Sequence, residues 1–202
     1  MWMGSLRARG FRRWVRLIEE GSPQRRGVRG ELEDGWWVMS GILVRDAVEG
    51  DLEAINSIYN YYVLNSTCTY QTEPETMEAR RAWFASHGAA HPITVAVEGG
   101  LVVGWGSLSP FHRRAAYSRT VEDSVYVDHG AQRRGIGRML LADLISRAGK
   151  LGHHTIIGGI DGEQTASVGL HEVMGFGRVA LLKEVGIKFG RWLDVIYMQR
   201  MV

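Results

Sequence analysis

The stretch that most constrains this chain runs from Val121 to Leu141 and reads V-E-D-S-V-Y-V-D-H-G-A-Q-R-R-G-I-G-R-M-L-L. Val121, Val125 and Val127 with Tyr126 make a short β-branched and aromatic run, the pattern of a strand. Asp128-His129-Gly130 interrupts it. From Gly137 onward Met139, Leu140, Leu141, Leu144 and Ile145 recur at helical spacing. Between strand and helix lies Gln132-Arg133-Arg134-Gly135-Ile136-Gly137. Its glycines remove side chains that would keep a ligand off the backbone. The opening helix offers unpaired N–H groups and the positive end of a dipole, which together suit a pyrophosphate. Arg133, Arg134 and Arg138 add charge and forked donors. A glycine-rich turn with solvated arginines would read the same way, so this stretch alone leaves both open.

Two common phosphate loops are excluded. No Gly-Lys-Ser/Thr follows the glycines, so this is not a P-loop, and Leu140 stands where a dinucleotide fingerprint needs its third glycine.

A chain of 202 residues is long enough to bury a core as one domain. Its charge is uneven: residues 1–39 hold eight of the 24 basic residues and five of the 22 acidic ones. The excess of positive charge therefore sits in the N-terminal extension, and the remainder carries no nucleic-acid footprint. Cys68 is the one cysteine, so no internal disulfide forms, which is compatible with a reducing cytoplasmic compartment. No apolar run approaches the length that spans a bilayer.

Residues 1–40 look foreign to the rest. Phe11, Trp14, Val15 and Ile18 among Arg12, Arg13 and Arg16 give a short basic amphipathic helix pattern, and Gly21 to Gly35 reads as linker. Met39-Ser40-Gly41 directly precedes the first clear strand, so Met39 is expected to be the true start, with a domain over 41–202. Ile42 to Ala47 is strand-like, and Asp51 is the expected N-cap of a helix with Leu52, Ile55, Ile58, Tyr59, Tyr62 and Val63 as its apolar stripe. A loop from Asn65 to Pro74 leads to a second helix with Met77, Ala82, Trp83 and Phe84 as its apolar side. Strands follow over Ile93 to Val97 and Leu101 to Ser109, joined by Glu98-Gly99-Gly100. After the central strand and its helix come a strand over Thr155 to Ile160 and a short helix over Gln164 to Met174. Late strands over Gly177 to Val185 and Arg191 to Met198 flank a turn at Gly186 to Gly190. This order mixes hairpins with crossover helices, which predicts a mixed sheet covered on both faces.

Five stretches in this order, I-L-V-R-D-A, T-V-E-D-S-V-Y-V, Q-R-R-G-I-G-R-M-L, L-H-E-V-M-G-F and K-F-G-R-W-L-D-V, resemble the phosphinothricin and methionine-sulfoximine branch of the GCN5-related N-acetyltransferases. The resemblance covers Ile42 to Met201. It implies an α/β fold (α+β in some schemes) with a mixed, mostly antiparallel sheet and helices on both faces. It also implies acetyl-CoA as donor, the α-amine of an amino acid or analogue as acceptor, and a homodimer.

An amine attacks a thioester only when neutral, so a group must take its proton. Glu122 on the central strand is the expected base, matching the family's T-V-E; an edge ion pair with Arg119 is the plainer reading. The strand residues Val125, Tyr126 and Val127 are expected to align the pantetheine arm through their backbone, with an N–H near Val125 stabilising the oxyanion of a tetrahedral intermediate. With them, Gln132, Arg133, Arg134, Gly135, Ile136, Gly137 and Arg138 are the expected cofactor residues, joined by Gln164 and Ser167. Gln164 departs from the Asn usual in D-x-E-N-x-x-S. His171 stands where many superfamily members carry the Tyr that meets the leaving thiolate, and a helix-surface histidine is its plainer reading. Tyr70, Arg119, Thr120, Val121 and Glu122 are the expected acceptor-side residues. No histidines show i, i+4 metal spacing with a helper carboxylate, so no metal is expected, nor a nucleic-acid or membrane partner. Acetylation of another small amine or a protein N-terminus, and CoA binding without turnover, are the competing functions.

Overall fold

The computed structural model describes residues 28–29, 37–39 and 41–202. Nine strands there form one sheet in the order β1-β2-β3-β4-β5-β6-β7-β9-β8. They are β1 (Val28–Arg29), β2 (Trp37–Met39), β3 (Ile42–Asp46), β4 (Ile93–Glu98), β5 (Leu101–Pro110), β6 (Thr120–Val127), β7 (Thr155–Asp161), β8 (Gly177–Lys188) and β9 (Arg191–Met201). The α-helices are α1 (Leu52–Asn65), α2 (Met77–Ser86), α3 (Ile136–Lys150) and α4 (Thr165–Val173). The amphipathic pattern at Phe11 to Ile18 lies outside the described residues. Within the segment expected to be extension, β1 pairs with β2, and β2 pairs with β3 through Trp37↔Val44 and Met39↔Ile42.

Strand alternation sorts the core into two layers. Ile42, Val44 and Ala96 pack with Ile136, Met139 and Leu140 of α3 on one face. On the other, Ile93, Val95 and Trp105 pack with Leu52, Ile55 and Ile58 of α1. A third cluster joins Leu141, Leu144 and Ile145 of α3 to Leu108, Val121 and Ile156 under α4. Side chains as deeply buried as Leu141 and Leu144 each contribute about 2 kcal/mol.

Three local expectations are corrected. Asp51 does not cap α1 with its side chain. It closes the 3₁₀ turn Glu49–Asp51 instead, accepting from Val48 N (2.8 Å) and from both terminal nitrogens of Arg45 (2.6 and 2.8 Å). On α2, Ala82 is exposed and Arg80 is the buried residue, 2% exposed. Its guanidinium lies 4.7 Å over both the Tyr59 and Trp83 rings, while Nε donates to Asn56 and a terminal nitrogen pairs with Glu75 at 2.8 Å. The last turn is shorter than expected. Phe189 and Gly190, with φ of 51° and 74°, make it, and Gly186 lies within β8 beside a register shift.

One irregularity of the sheet creates the site. All neighbouring strands are antiparallel except β6 and β7, which are parallel and pair only through Thr120↔Thr155, Val121↔Ile156 and Glu122↔Ile157. Beyond Glu122, β6 stays with β5 to Val127, whereas β7 stays with β9 to Asp161. The two strands part, and a cleft opens between them.

Candidate active site

The cleft is a cavity of about 410 Å³ between the diverging ends of β6 and β7, the α3 loop and α4. Asp123 to Val127 form one wall and Gly158 to Asp161 the other. Gln132, Arg133, Gly135, Gly137 and Arg138 close one end, with Gln164, Ser167 and His171 along the α4 side.

The loop is built to leave backbone donors open. Gly135 is the N-cap of α3 at φ 85°, a left-handed conformation, and no side chain caps the helix. The first-turn N–H groups therefore keep their hydrogen-bonding capacity for a ligand. Arg133 is also left-handed, at φ 61°. Gly137 has a second reason to be glycine: a Cβ there would lie 3.3 Å from Leu170 Cδ2 and 3.6 Å from Val127 Cγ2. It lets α3 approach both α4 and β6.

Other expected residues are engaged by the protein itself. Gln132 lines the cleft, but its amide nitrogen donates to the Tyr62 hydroxyl at 2.6 Å, and that hydroxyl donates to the Val127 carbonyl at 2.5 Å. Arg134 stands outside the cleft lining, where both its terminal nitrogens are held by the Glu98 carboxylate at 2.5 and 3.0 Å. Gln164 donates to Thr67 Oγ1 at 3.1 Å, and Thr67 donates in turn to Asp161 Oδ1. Tyr70 is tied to Asp161 and to the Asp194 carbonyl, which orients it beside the β7 wall. Burial and the Asp161 charge push its pKa up. Val121 is fully buried in the core, so its side chain does not reach an acceptor; Arg119 is exposed and Thr120 half-buried at the start of β6.

The two expected proton-transfer groups lie on opposite faces of the β6 and β7 edges. Glu122 is half-buried where the strands separate, and burial, with the neighbouring Asp123 charge, pushes its pKa up. His171 is buried against Asp123, a residue outside the set that the sequence predicts. His171 Nε2 lies 3.1 Å from Asp123 Oδ2, and Nδ1 lies 2.8 Å from the Ser167 carbonyl. The signal that marks Asp123 is alternation: in a strand holding Glu122 toward one face, the next residue points to the other. The Gly158-Gly159 pair in β7 is a second missed signal, since glycines inside a strand mark close approach. A Cβ at Gly158 would lie 3.1 Å from the His171 ring and 3.2 Å from Asp123 Oδ1, and one at Gly159 would lie 3.2 Å from Glu122 Oε1. Among the described residues, no group of three or more His, Cys, Asp or Glu converges as a metal site.

The chain is similar to known acetyltransferases. The model of the acetyltransferase (GNAT) family matches residues 55–176. The chain is 38% identical to the L-methionine sulfoximine/L-methionine sulfone acetyltransferase of Salmonella typhimurium, over 77% of this chain and 92% of that protein. It is 39% identical to the phosphinothricin N-acetyltransferase of Streptomyces coelicolor, over 79% of this chain and 95% of that one. A phosphinothricin acetyltransferase of Sinorhizobium meliloti, solved in complex with AcCoA, superposes with a TM-score of 0.78 at 38% identity, over 80% of this chain and 89% of that chain.

Proposed function

The chain belongs to the acetyltransferase (GNAT) family and is an acetyl-CoA-dependent N-acetyltransferase, and on that premise we propose that Glu122 and His171 serve transfer to the α-amine of a small amino acid or analogue of the methionine sulfoximine, methionine sulfone or phosphinothricin type. The observation that carries the reading is the parting of β6 and β7 beside the uncapped N-terminus of α3. A long anionic thioester fits such a site. Its pyrophosphate takes the open N–H groups near Gly135 to Arg138, and its pantetheine arm takes the backbone edge of Val125 to Val127 that β7 leaves unpaired, the Val127 carbonyl itself being held by Tyr62.

Glu122 takes the proton of the incoming ammonium. Its raised pKa makes it a better base than an ordinary carboxylate, and its half-burial limits competition from water. The neutral amine attacks the acetyl carbonyl, and a β6 backbone N–H near Val125 stabilises the tetrahedral oxyanion. The C–S bond then breaks with its electron pair on sulfur, and His171 supplies the thiolate's proton. Tyr70, Arg119 and Thr120 belong to the acceptor side of this scheme.

We assign catalysis to residues 41–202 and regard residues 1–40 as an extension outside the catalytic unit. A cytoplasmic location is compatible with the single cysteine. A homodimer is supported by β8 and β9, where Val179, Leu181, Val185, Ile187 and Trp192 are each more than half exposed. So much apolar surface on an edge hairpin favours cover by a second copy. Light scattering of the full chain tests that assembly.

The function itself is tested by thiol release from acetyl-CoA against amino acids, methionine sulfoximine, methionine sulfone and phosphinothricin. Amine-dependent release with at least one of these is expected. Acetyl-CoA binding with no amine-dependent release would leave a binding module.

A further inference from the structure

We infer that Asp123 is a positioning residue for His171, fixing the ring and keeping it protonated as the proton store for the leaving thiolate. The inference rests on the reading that His171 protonates the thiolate.

Hydrogen-bond chemistry supplies the argument. A backbone carbonyl only accepts, so the Ser167 contact at 2.8 Å places a hydrogen on His171 Nδ1. An ionised carboxylate also only accepts, so the Asp123 contact at 3.1 Å places a hydrogen on Nε2. With both nitrogens donating, the ring is an imidazolium. It is 3% exposed and Asp123 is 8% exposed, so neither charge is maintained by bulk water and each depends on the other. Burial alone would lower the pKa of His171, but the hydrogen bond and charge of Asp123, with the Ser167 carbonyl, outweigh it and the net direction is up.

Among the described residues, no other carboxylate is placed to substitute for Asp123. On the facing side β7 presents Gly158, whose missing Cβ leaves the room that the pair occupies. The carboxylate of β7, Asp161, is bonded to Thr67 and Tyr70 on the other face of that strand. Glu122 points to the opposite face of β6, toward Gly159. Phe176 closes the ring's edge at 4.9 Å between centroids. Glu172, the charged neighbour on α4, is exposed and taken by Arg178.

A further detail connects the pair to the cleft. Asp123 lines it, yet Asp123 Oδ1 is buried with no hydrogen-bond partner. A buried carboxylate oxygen left unpaired is costly, and this one is open to accept a bond from a group entering the cleft. The thiol of released coenzyme A and the amide N–H groups of the pantetheine arm are donors of the right kind. In the step itself, the C–S bond breaks and sulfur keeps its electron pair; the Nε2–H bond of His171 breaks with its pair left on nitrogen, and that proton passes to sulfur, leaving a neutral imidazole beside Asp123. The pair regains its proton from solvent before the next turnover.

The experiment combines NMR titration of the histidine ring with the pH dependence of kcat, in wild type and Asp123→Asn, using His171→Ala to assign the ring signal. Losing the counter-charge should lower the midpoint of His171 by about one pH unit or more. The alkaline limb of kcat should move down with it. A midpoint that stays where it was, or a limb that stays while the midpoint falls, overturns the inference. Gly158→Ala is the second variant, because its Cβ would push the ring and carboxylate apart without removing any titrating group. It should shift both readouts in the same direction, and unchanged readouts in the folded variant overturn the inference equally. The thiol-release panel on wild type tests the acetyl-transfer reading beforehand, so the two failures remain distinguishable.

Discussion

Glu122 Oε1 lies only 3.2 Å from where a Cβ on Gly159 would stand, so the carboxylate occupies space that glycine leaves on the neighbouring strand. The adjacent Gly158 does the same for Asp123 and His171 on the opposite face. Two successive glycines in β7 thus make room for the side chains of two successive residues of β6. The alternation of side chains across a strand makes this possible, and Asp123 and His171 line the cleft that opens where β6 parts from β7, whereas Glu122 stands outside that lining.

Gly159→Ala should therefore impair catalysis without unfolding the protein. Its φ is not left-handed, so the backbone accepts alanine. The new methyl group displaces the end of the Glu122 side chain by a few tenths of an ångström. We expect kcat/KM to fall about tenfold, given how strongly rate depends on placement, and stability to change by less than about 1 kcal/mol. Steady-state kinetics with a melting curve would decide it; unchanged kinetics would detach Glu122 from the chemistry.

Glu122→Gln keeps the shape and removes proton acceptance. Turnover should fall by roughly 10²–10⁴, the range of a positioned acid–base group. Affinity for acetyl-CoA should barely change, because the role proposed for Glu122 is on the acceptor side. In wild type the raised pKa of Glu122 places the acid limb of kcat/KM above that of an ordinary carboxylate. The variant should lack that limb, and its deficit should shrink as pH rises and more amine is already neutral. Equal activity across the pH range would move the base elsewhere.

What the sequence made readable was what depends on neighbours in the chain. The strand, the glycine loop and α3 follow from residues within a few positions of one another. Asp123 was missed because its meaning comes from His171, 48 positions away. Arg134 reads as a phosphate ligand until the β4–β5 hairpin brings Glu98 to it from 36 positions away. Gln132 is similar, since the hydroxyl that takes its amide is 70 positions distant. On α2 the apolar stripe includes Ala82 and passes over Arg80, whose burial depends on Tyr59, Trp83 and Trp105 converging from α1, α2 and β5. A one-dimensional pattern reports periodicity, whereas these charges are assigned by contacts that only the assembled sheet creates.

Tyr62→Phe tests whether the cofactor loop is held from outside. The substitution removes the hydroxyl that donates to Val127 and accepts from Gln132 while keeping the ring among its aromatic neighbours. Each lost bond contributes about 1 kcal/mol. We expect a 3- to 10-fold rise in KM for acetyl-CoA, about 1 kcal/mol by the usual conversion, with kcat nearly unchanged. A fall in kcat with KM intact would show that Tyr62 acts on the reacting end instead.

Asp143 carries the clearest link between pH and stability. It sits on α3, 2% exposed, with Arg147 Nε bonded to its Oδ2 at 2.8 Å. Burial raises its pKa to about 6, offset only in part by the Arg147 charge and hydrogen bond. An unfolded Asp titrates near about 3.9, so the folded protein binds the proton more tightly than the unfolded chain does. Ionised Asp143 therefore weakens the fold above about pH 6, and protonation relieves that cost as pH falls through the folded value. Asp143→Asn is neutral at every pH and lacks this dependence. Between pH 8 and pH 5 the stability of wild type should rise by about 1 kcal/mol relative to the variant. Urea unfolding of both proteins at the two pH values measures the difference directly, since contributions from the histidines and other carboxylates cancel between them. Parallel pH dependence in the two proteins would mean that Asp143 stays an ordinary carboxylate despite its burial, held by Arg147 more firmly than its geometry suggests.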